Sequence, residues 1–370
     1  MQQYIVKRVA LALLTLFGVS LLVFFGIRII PGGVVDQILG ESQVVVADAD
    51  EVRAEVEALL GKQDEGALSA EEQARLTELR PSYNLILANE NQRNKIEGEL
   101  GLGGPVWRQY FDWMGGILRL DFGESLRGQG SNNEQLKDRL PATLELSLLG
   151  LLISLSIALP VGTFSAVRQD SLADYAGRSM AIGFLAIPQF WLGTMIIVFA
   201  SVWFEKAVPS VTSYKQIWED PIQNLKVMLF PYGYFIPVGP SFVLGVGLSG
   251  TVMRLTRAQM LEVLRQDYVR TAWAKGLKER SVVVGHALRN ALIPVITVVG
   301  LQVPILVGGS VVVEAIFNVR GIGLWFFSAI QLRDYSIVQT VALLTAVIVV
   351  FANLLVDLTY AWVDPRIKYS

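Results

Sequence analysis

The sequence predicts an all-α membrane protein with six transmembrane helices, both termini cytoplasmic, and a helical insertion on the outer side. Three observations carry this. Apolar residues make up 52% of the 370 residues and charged ones only 17%, against about 25% charged in ordinary soluble domains. The apolar residues gather in uncharged runs close to the roughly 20 residues that a helix needs to cross a bilayer core. Lys and Arg gather at one alternating set of run ends, which marks the cytoplasmic side.

The runs, in order, are Val9–Ile27, Leu146–Val167, Ser179–Phe204, Phe230–Val252, Ala291–Val313 and Ile337–Val356. A buried soluble helix rarely runs this long without a polar stripe. The first run follows Lys7-Arg8; its 19 uncharged residues exceed a signal-peptide core of about 7–15, so it reads as a retained helix. Pro231, Pro237 and Pro240 make the fourth run the weakest. Arg168 and Arg178 bracket the turn between the second and third runs, and Arg366 and Lys368 follow the sixth. Residues 254–290 hold eight basic and three acidic residues, whereas residues 41–99 hold fourteen acidic and six basic. The expected organisation is therefore a first helix (1–30), an extracytoplasmic segment (31–140) with an acidic helical insertion at about 41–99, and a five-helix core (141–370) with a cytoplasmic loop at 254–290.

Within the insertion, Val52, Val56, Leu59 and Leu60 keep helical spacing. Ser69 and Glu72 fit a capping box opening a second helix through Leu76 and Leu79, which Pro81 is expected to end. The insertion reads either as tolerated surface or as a docking surface for an extracytoplasmic partner.

Composition and motifs also exclude. There is no Cys and one His, so thiolate metal sites and zinc protease sites have no ligands. A net charge of −2 argues against nucleic acid as a partner. No P-loop is present, and Leu248-Ser249-Gly250 reads as small residues for close helix packing. Gly123-Glu124-Ser125-Leu126-Arg127-Gly128 misses the nucleophile-elbow pattern by one position. The chain reads as a non-catalytic subunit with no cofactor or metal of its own. Glu145, Glu314 and Asp357 are the few charges within or beside the spans; Glu314 and Asp357 are candidates for gating or pathway contacts, with interfacial or Arg-paired positions as the plainer reading.

The loop at 254–290 is the most informative stretch. Met260, Leu261 and Leu264 mark one apolar helical face; Tyr268, Ala272 and Lys275 continue a second short helix that Gly276 can stop, as a left-handed cap or as a close-approach site. The sequence Arg270-Thr271-Ala272-Trp273-Ala274-Lys275-Gly276-Leu277 resembles the coupling-helix motif of ABC importer permeases, in the version of the dipeptide/oligopeptide/nickel family. Co-linear segments extend the resemblance over nearly the whole chain. They include Pro31-Gly32-Gly33, Leu100–Pro105, Asp121–Ser125, Leu140–Leu146, Val313–Phe317, Arg333-Asp334-Tyr335, Asn353–Asp357 and Asp364-Pro365-Arg366. Arg320 stands where that family usually has Pro, and Gly33 where it has Asp. The pattern is similar to the subunit with the Pro-Gly-Asp-type first loop.

The resemblance implies a type I ABC importer permease fold in the cell's inner (plasma) membrane. It implies a second homologous permease, two ATPase subunits that bind ATP and Mg, and an extracytoplasmic substrate-binding protein. Cargo would be di- or oligopeptides, with nickel chelates, peptide-like antibiotics or oligosaccharides as alternatives; a secondary transporter or channel is the alternative from another class. Arg270, Thr271, Ala272, Ala274, Lys275, Gly276 and Leu277 would form the ATPase-coupling segment, with Ala272 and Gly276 allowing close approach.

Overall fold

The computed structural model describes residues 2–29, 48–64, 68–99, 104–204, 214–231 and 238–363. The segments at Pro31–Gly33, 100–103 and Asp364–Arg366, and the basic residues Arg366 and Lys368, lie outside them. The described residues are helical apart from short connections, with one isolated bridge between Glu124 and Ser131. Contacts divide the chain into two units, residues 24–122 and residues 1–23 with 123–370.

In the smaller unit, the end of α1 (Gln2–Arg28) is followed by α2 (Ala49–Asp64), α3 (Ala70–Glu99) and α4 (Val106–Leu118). Phe24 is buried against the rings of Tyr110 and Trp113 at 5.2 and 5.6 Å, while Arg28 lies 3.6 Å over its face and donates to Gln109 Oε1 at 2.7 Å. The capping box forms: Glu72 N donates to Ser69 Oγ at 3.3 Å, and Ser69 N donates to Glu72 Oε2 at 2.9 Å. Val56, Leu59 and Leu76 form a small core with Val52, Leu60, Leu79 and Tyr83 at its edge. Contrary to expectation, α3 does not end at Pro81 but runs through it. A proline inside a helix costs about 3 kcal/mol. Here Leu79 and Tyr83, on either side of Pro81, both pack onto the α2 cluster, so burial holds the helix on both flanks.

The larger unit contains the rest of α1, α5 (Asn132–Val167), α6 (Leu172–Ala186), α7 (Gln189–Phe204), α8 (Pro221–Leu229), α9 (Pro240–Leu264) and α10 (Asp267–Ala274). A π-helical stretch, Ser281–Leu288, leads into α11 (Arg289–Phe317), then α12 (Ile322–Gln331) and α13 (Tyr335–Val363). Helices α5 and α9 lie in close backbone contact because glycines line the seam. A Cβ on Gly245 would meet Gly150 O at 2.7 Å, and one on Gly162 would meet Met253 O at 2.8 Å. On Gly250 it would meet Ala181 O of α6 at 2.8 Å, which fits the packing reading of Leu248-Ser249-Gly250.

Among the described residues, four helices are long and apolar enough to cross a bilayer: Ile5–Gly26, Asn132–Val167, Ser281–Val303 and Tyr335–Asp357. Two bent pairs pass together, Leu172–Ala186 with Gln189–Trp203 at 95° and Ser310–Phe317 with Ile322–Gln331 at 82°, for up to six. The third run is thus broken, at Ile187-Pro188; Ile187 is extended (φ −84°, ψ 115°), as the residue before a proline prefers. The fourth run is also redrawn. Its helix starts only at Pro240, in the first-turn position where a missing N–H costs nothing. It continues to Leu264, and it is not among the helices that pass on length and apolarity.

Candidate functional site

The loop folds as a helix–glycine unit seated on its own apolar cluster. After α9, Gln266 turns extended and caps α10, whose first turn carries Asp267, the charge that a helix N-terminus favours. Val269 and Ala272, three residues apart, face inward. They are buried with Met260 and Val263 of α9 and with Val282, Val283 and Ala287 of the π-helical stretch. At the other end Gly276 takes φ +76°. Its N–H donates to Trp273 O at 2.9 Å and the Leu277 N–H to Ala272 O at 3.4 Å, the paired bonds of a Schellman cap. A Cβ on Gly276 would meet nothing within 4 Å, so glycine is required here by the left-handed backbone and not by crowding.

Of the residues singled out in this segment, Arg270, Thr271, Ala274, Lys275, Gly276 and Leu277 are exposed; Ala272 faces the chain's own cluster and is 7% exposed. Arg270 meets Asp267 at 3.7 Å, but both side chains are exposed, so the pair holds Arg270 only weakly. Trp273 was not among the residues chosen from the sequence, yet it lies on the open side, 45% exposed, with Leu277 at 39%. The signal was present, since Trp273 falls out of register with the inward pair Val269 and Ala272. The unit therefore offers a rigid short helix with two cations and two large apolar side chains facing outward.

Within the larger unit, three helices are also joined by buried charge. Asp174 is fully buried and accepts from Arg257 Nε and Nη2 at 2.7 Å each, from Asp170 N at 3.0 Å and from Ser165 Oγ. Arg178 lies 3.3 Å away. The bidentate pair links α6 to α9, and Ser165 adds α5. The local pattern marks Asp174 only as part of a Ser171-x-x-Asp174 helix start with Arg178 one turn on; its bidentate partner lies 83 residues on.

The two gating candidates occupy different settings and share no partner. Glu314 is fully buried near the end of α11. Its Oε1 accepts from Thr143 Oγ1 of α5 at 2.7 Å and its Oε2 from Leu324 N at 2.9 Å, while Thr143 Oγ1 accepts from Ile322 N at 2.9 Å. The N-cap of α12 is Gly321, which has no side chain, so Glu314 and Thr143 cap that helix from outside. A Cβ on Gly321 would lie 2.3 Å from Glu314 Oε2. Asp357 instead pairs with Arg8 at 2.9 Å, with side chains 25% and 41% exposed. Glu145 accepts from Tyr214 Oη at 3.0 Å and from Asn224 Nδ2 at 2.8 Å. A further buried carboxylate, Asp334, accepts from Ser125 Oγ and, at 3.3 Å, from Leu126 N and Arg127 N. Segments far apart in the chain thus meet: Leu140–Leu146 with Val313–Phe317, and the Gly123–Gly128 turn with Arg333-Asp334-Tyr335.

Several bilayer-length apolar helices among the described residues, with the helix–glycine unit between two long helices, define a multi-pass membrane protein. Residues 158–369 match the family described as "Binding-protein-dependent transport system inner membrane component", and the chain belongs to that family, with its ABC type I permease fold. It is 34% identical over 382 residues to the dipeptide transport system permease protein DppB of Escherichia coli (strain K12), covering 100% of both chains. It is 35% identical over 381 residues to the di/tripeptide transport system permease protein DppB of Pseudomonas aeruginosa (strain UCBPP-PA14), again covering 100% of both. It is 40% identical over 286 residues to the oligopeptide transport system permease protein AppB of Bacillus subtilis (strain 168), covering 76% of this chain and 86% of that one.

Proposed function

We propose that this chain is the permease subunit of an ATP-driven importer of di- or oligopeptides. It forms the translocation pathway with a second, homologous permease and receives its driving motion from two ATPase subunits, which bind ATP and Mg; an extracytoplasmic protein delivers the peptide. Both termini and the 254–290 loop face the cytoplasm, by the Lys and Arg distribution. The observation that carries this reading is the α10 unit. A short helix pinned by Val269 and Ala272 and closed by Gly276 is packed onto α9 and the π-helical stretch, an arrangement suited to pass a push on its outer face to the core. Arg270, Thr271, Trp273, Ala274, Lys275 and Leu277 make the contacts with the ATPase, and Gly276 sets the turn. The names of the relatives support peptides as cargo.

Proteoliposomes holding this chain with its second permease and ATPases test the reading. With the binding protein and ATP present, labelled dialanine accumulates inside; it does not when ATP or the binding protein is omitted. Accumulation without ATPase subunits would instead indicate a secondary transporter or channel.

A further inference from the structure

Five charged side chains line a cavity of about 340 Å³. Asp138 and Arg139 come from α5, Arg320 from the turn between α11 and α12, and Lys215 and Glu219 from the segment before α8. Among the described residues, none of the five makes an ion pair within 4.0 Å. Arg139 is oriented by other means: its Nε donates to Gln135 Oε1 at 2.8 Å, and its guanidinium lies 5.7 Å from the Trp325 ring centroid. These contacts leave Nη1 and Nη2 without a protein partner among the described residues. Arg320 is exposed and carries no side-chain hydrogen bond there.

Unpaired charges on a convex surface mean little, since water screens them and surface pairs contribute little. A concave wall is different, because it focuses the field of the groups that line it. The volume lies at the low end of small-molecule sites, roughly 300–1,000 Å³. The lining carries three positive and two negative groups held apart. That arrangement suits a compact zwitterion. A phosphate would engage the three cations but leave Asp138 and Glu219 unanswered, and a neutral sugar would leave all five charges unanswered. A short peptide brings one carboxylate, which matches the planar fork of arginine, and one ammonium.

We propose that this cavity is a peptide subsite of the permease itself, with Arg139 and Arg320 holding the terminal carboxylate and Asp138 and Glu219 the terminal ammonium. The proposal rests on the peptide-importer reading and adds to it a substrate contact outside the binding protein.

The test uses the complex of this chain, its second permease and the ATPases in nanodiscs, without binding protein, and a photoreactive dipeptide, p-benzoylphenylalanyl-alanine. The expected result is labelling of this chain that dialanine displaces and that dialanine amide or N-acetyl-dialanine displaces about tenfold less well. Arg320→Gln and Asp138→Asn, at exposed positions with no structural bonds, lower labelling about tenfold, and Arg320→Lys, which keeps the charge without the fork, gives an intermediate loss. Absent labelling, equal displacement by the blocked peptides, or unchanged labelling in both variants overturns the subsite. Loss of binding-protein docking in Arg320→Gln with labelling intact also overturns it, making the cavity a protein-docking surface. In each of those cases ATP-driven peptide uptake by the full system would still stand; absence of that uptake in the wild type would instead remove the peptide-importer reading.

Discussion

Replacing Asp174 by Asn removes the buried carboxylate that holds Arg257 bidentately and lies 3.3 Å from Arg178; the exposed Asp170, 4.0 Å from Arg178, remains. The Asp174 side chain is fully buried and that of Arg257 is only 20% exposed, so solvent cannot take over the lost partner. Breaking a buried pair from one side costs about 3–5 kcal/mol. Because Arg257 keeps some access to water, a loss near the lower end, about 3 kcal/mol, is expected. Replacing Asp174 and its bidentate partner by apolar side chains of similar volume, Asp174→Leu with Arg257→Met, removes the buried cation of the pair, while Arg178, 38% exposed, keeps Asp170 at 4.0 Å. It leaves Ser165 Oγ and Asp170 N without their acceptor, at about 1 kcal/mol each. The double variant is therefore about 1–2 kcal/mol less stable than wild type, well short of the sum of the single changes. The assay is reversible unfolding in mixed detergent micelles of Asp174→Asn, Asp174→Leu, Arg257→Met and the double. A loss below about 1 kcal/mol in Asp174→Asn, or additive single effects, would refute the account of α6 and α9 as joined by this pair.

Other outcomes follow from the same geometry. Gly276→Val meets no steric obstacle but must hold the left-handed backbone at about 1–2 kcal/mol; membrane insertion should persist while peptide-stimulated ATP hydrolysis falls severalfold, and normal turnover would count against the docking role. Glu314→Ala strips the external cap from α12 and should speed amide exchange at Leu324 by tenfold or more, whereas Glu314→Gln retains an acceptor and most of the protection. Unchanged uptake in Glu314→Gln and Asp357→Asn would take both residues out of the gating role. In the insertion, the Lys62 ammonium at 2.7 Å and then the Ser69 backbone N–H hold the Glu72 carboxyl down to about 2. Its folded value is depressed, so its contribution is complete above the ordinary value near 4.5 and is lost as pH falls toward 2. Exchange protection of the Ser69 amide should fade over that window; protection constant from pH 5 to pH 2 would contradict the capping-box assignment.

Local chemistry carried much of the fold into the sequence. The Ser69–Glu72 box, the left-handed Gly276 and the inward Met260 follow from rules that span a few residues. The misreadings arose where packing at a distance decided the outcome. Pro81 stays helical because α2 buries both its flanks. The break at Ile187-Pro188 lies inside a run whose apolarity alone suggests a continuous span, and helix α12 falls between the fifth and sixth runs, where no span was expected. At the candidate site, the spacing of α10 was legible but its rotation was not: Ala272 turns inward into a cluster that reaches from Ala166 to Ala291, and Trp273 takes the open face. Glu314 and Asp174 could be noticed only as charges, because their partners are supplied by other helices.

The central claim is that the outer face of α10 seats on an ATPase subunit. Because the chain has no Cys, a single Cys at Lys275 or Trp273 gives one reactive position, compared with a single Cys at Arg80 in the acidic insertion. In the assembled complex, a short bifunctional thiol–amine reagent should join the α10 cysteines to an ATPase chain, with a yield that changes between nucleotide-free and ATP-bound states, and should leave the Arg80 variant unjoined. Absence of an ATPase adduct from both α10 positions in an active complex, or an adduct from Arg80 instead, would contradict both the docking role and the assigned sidedness.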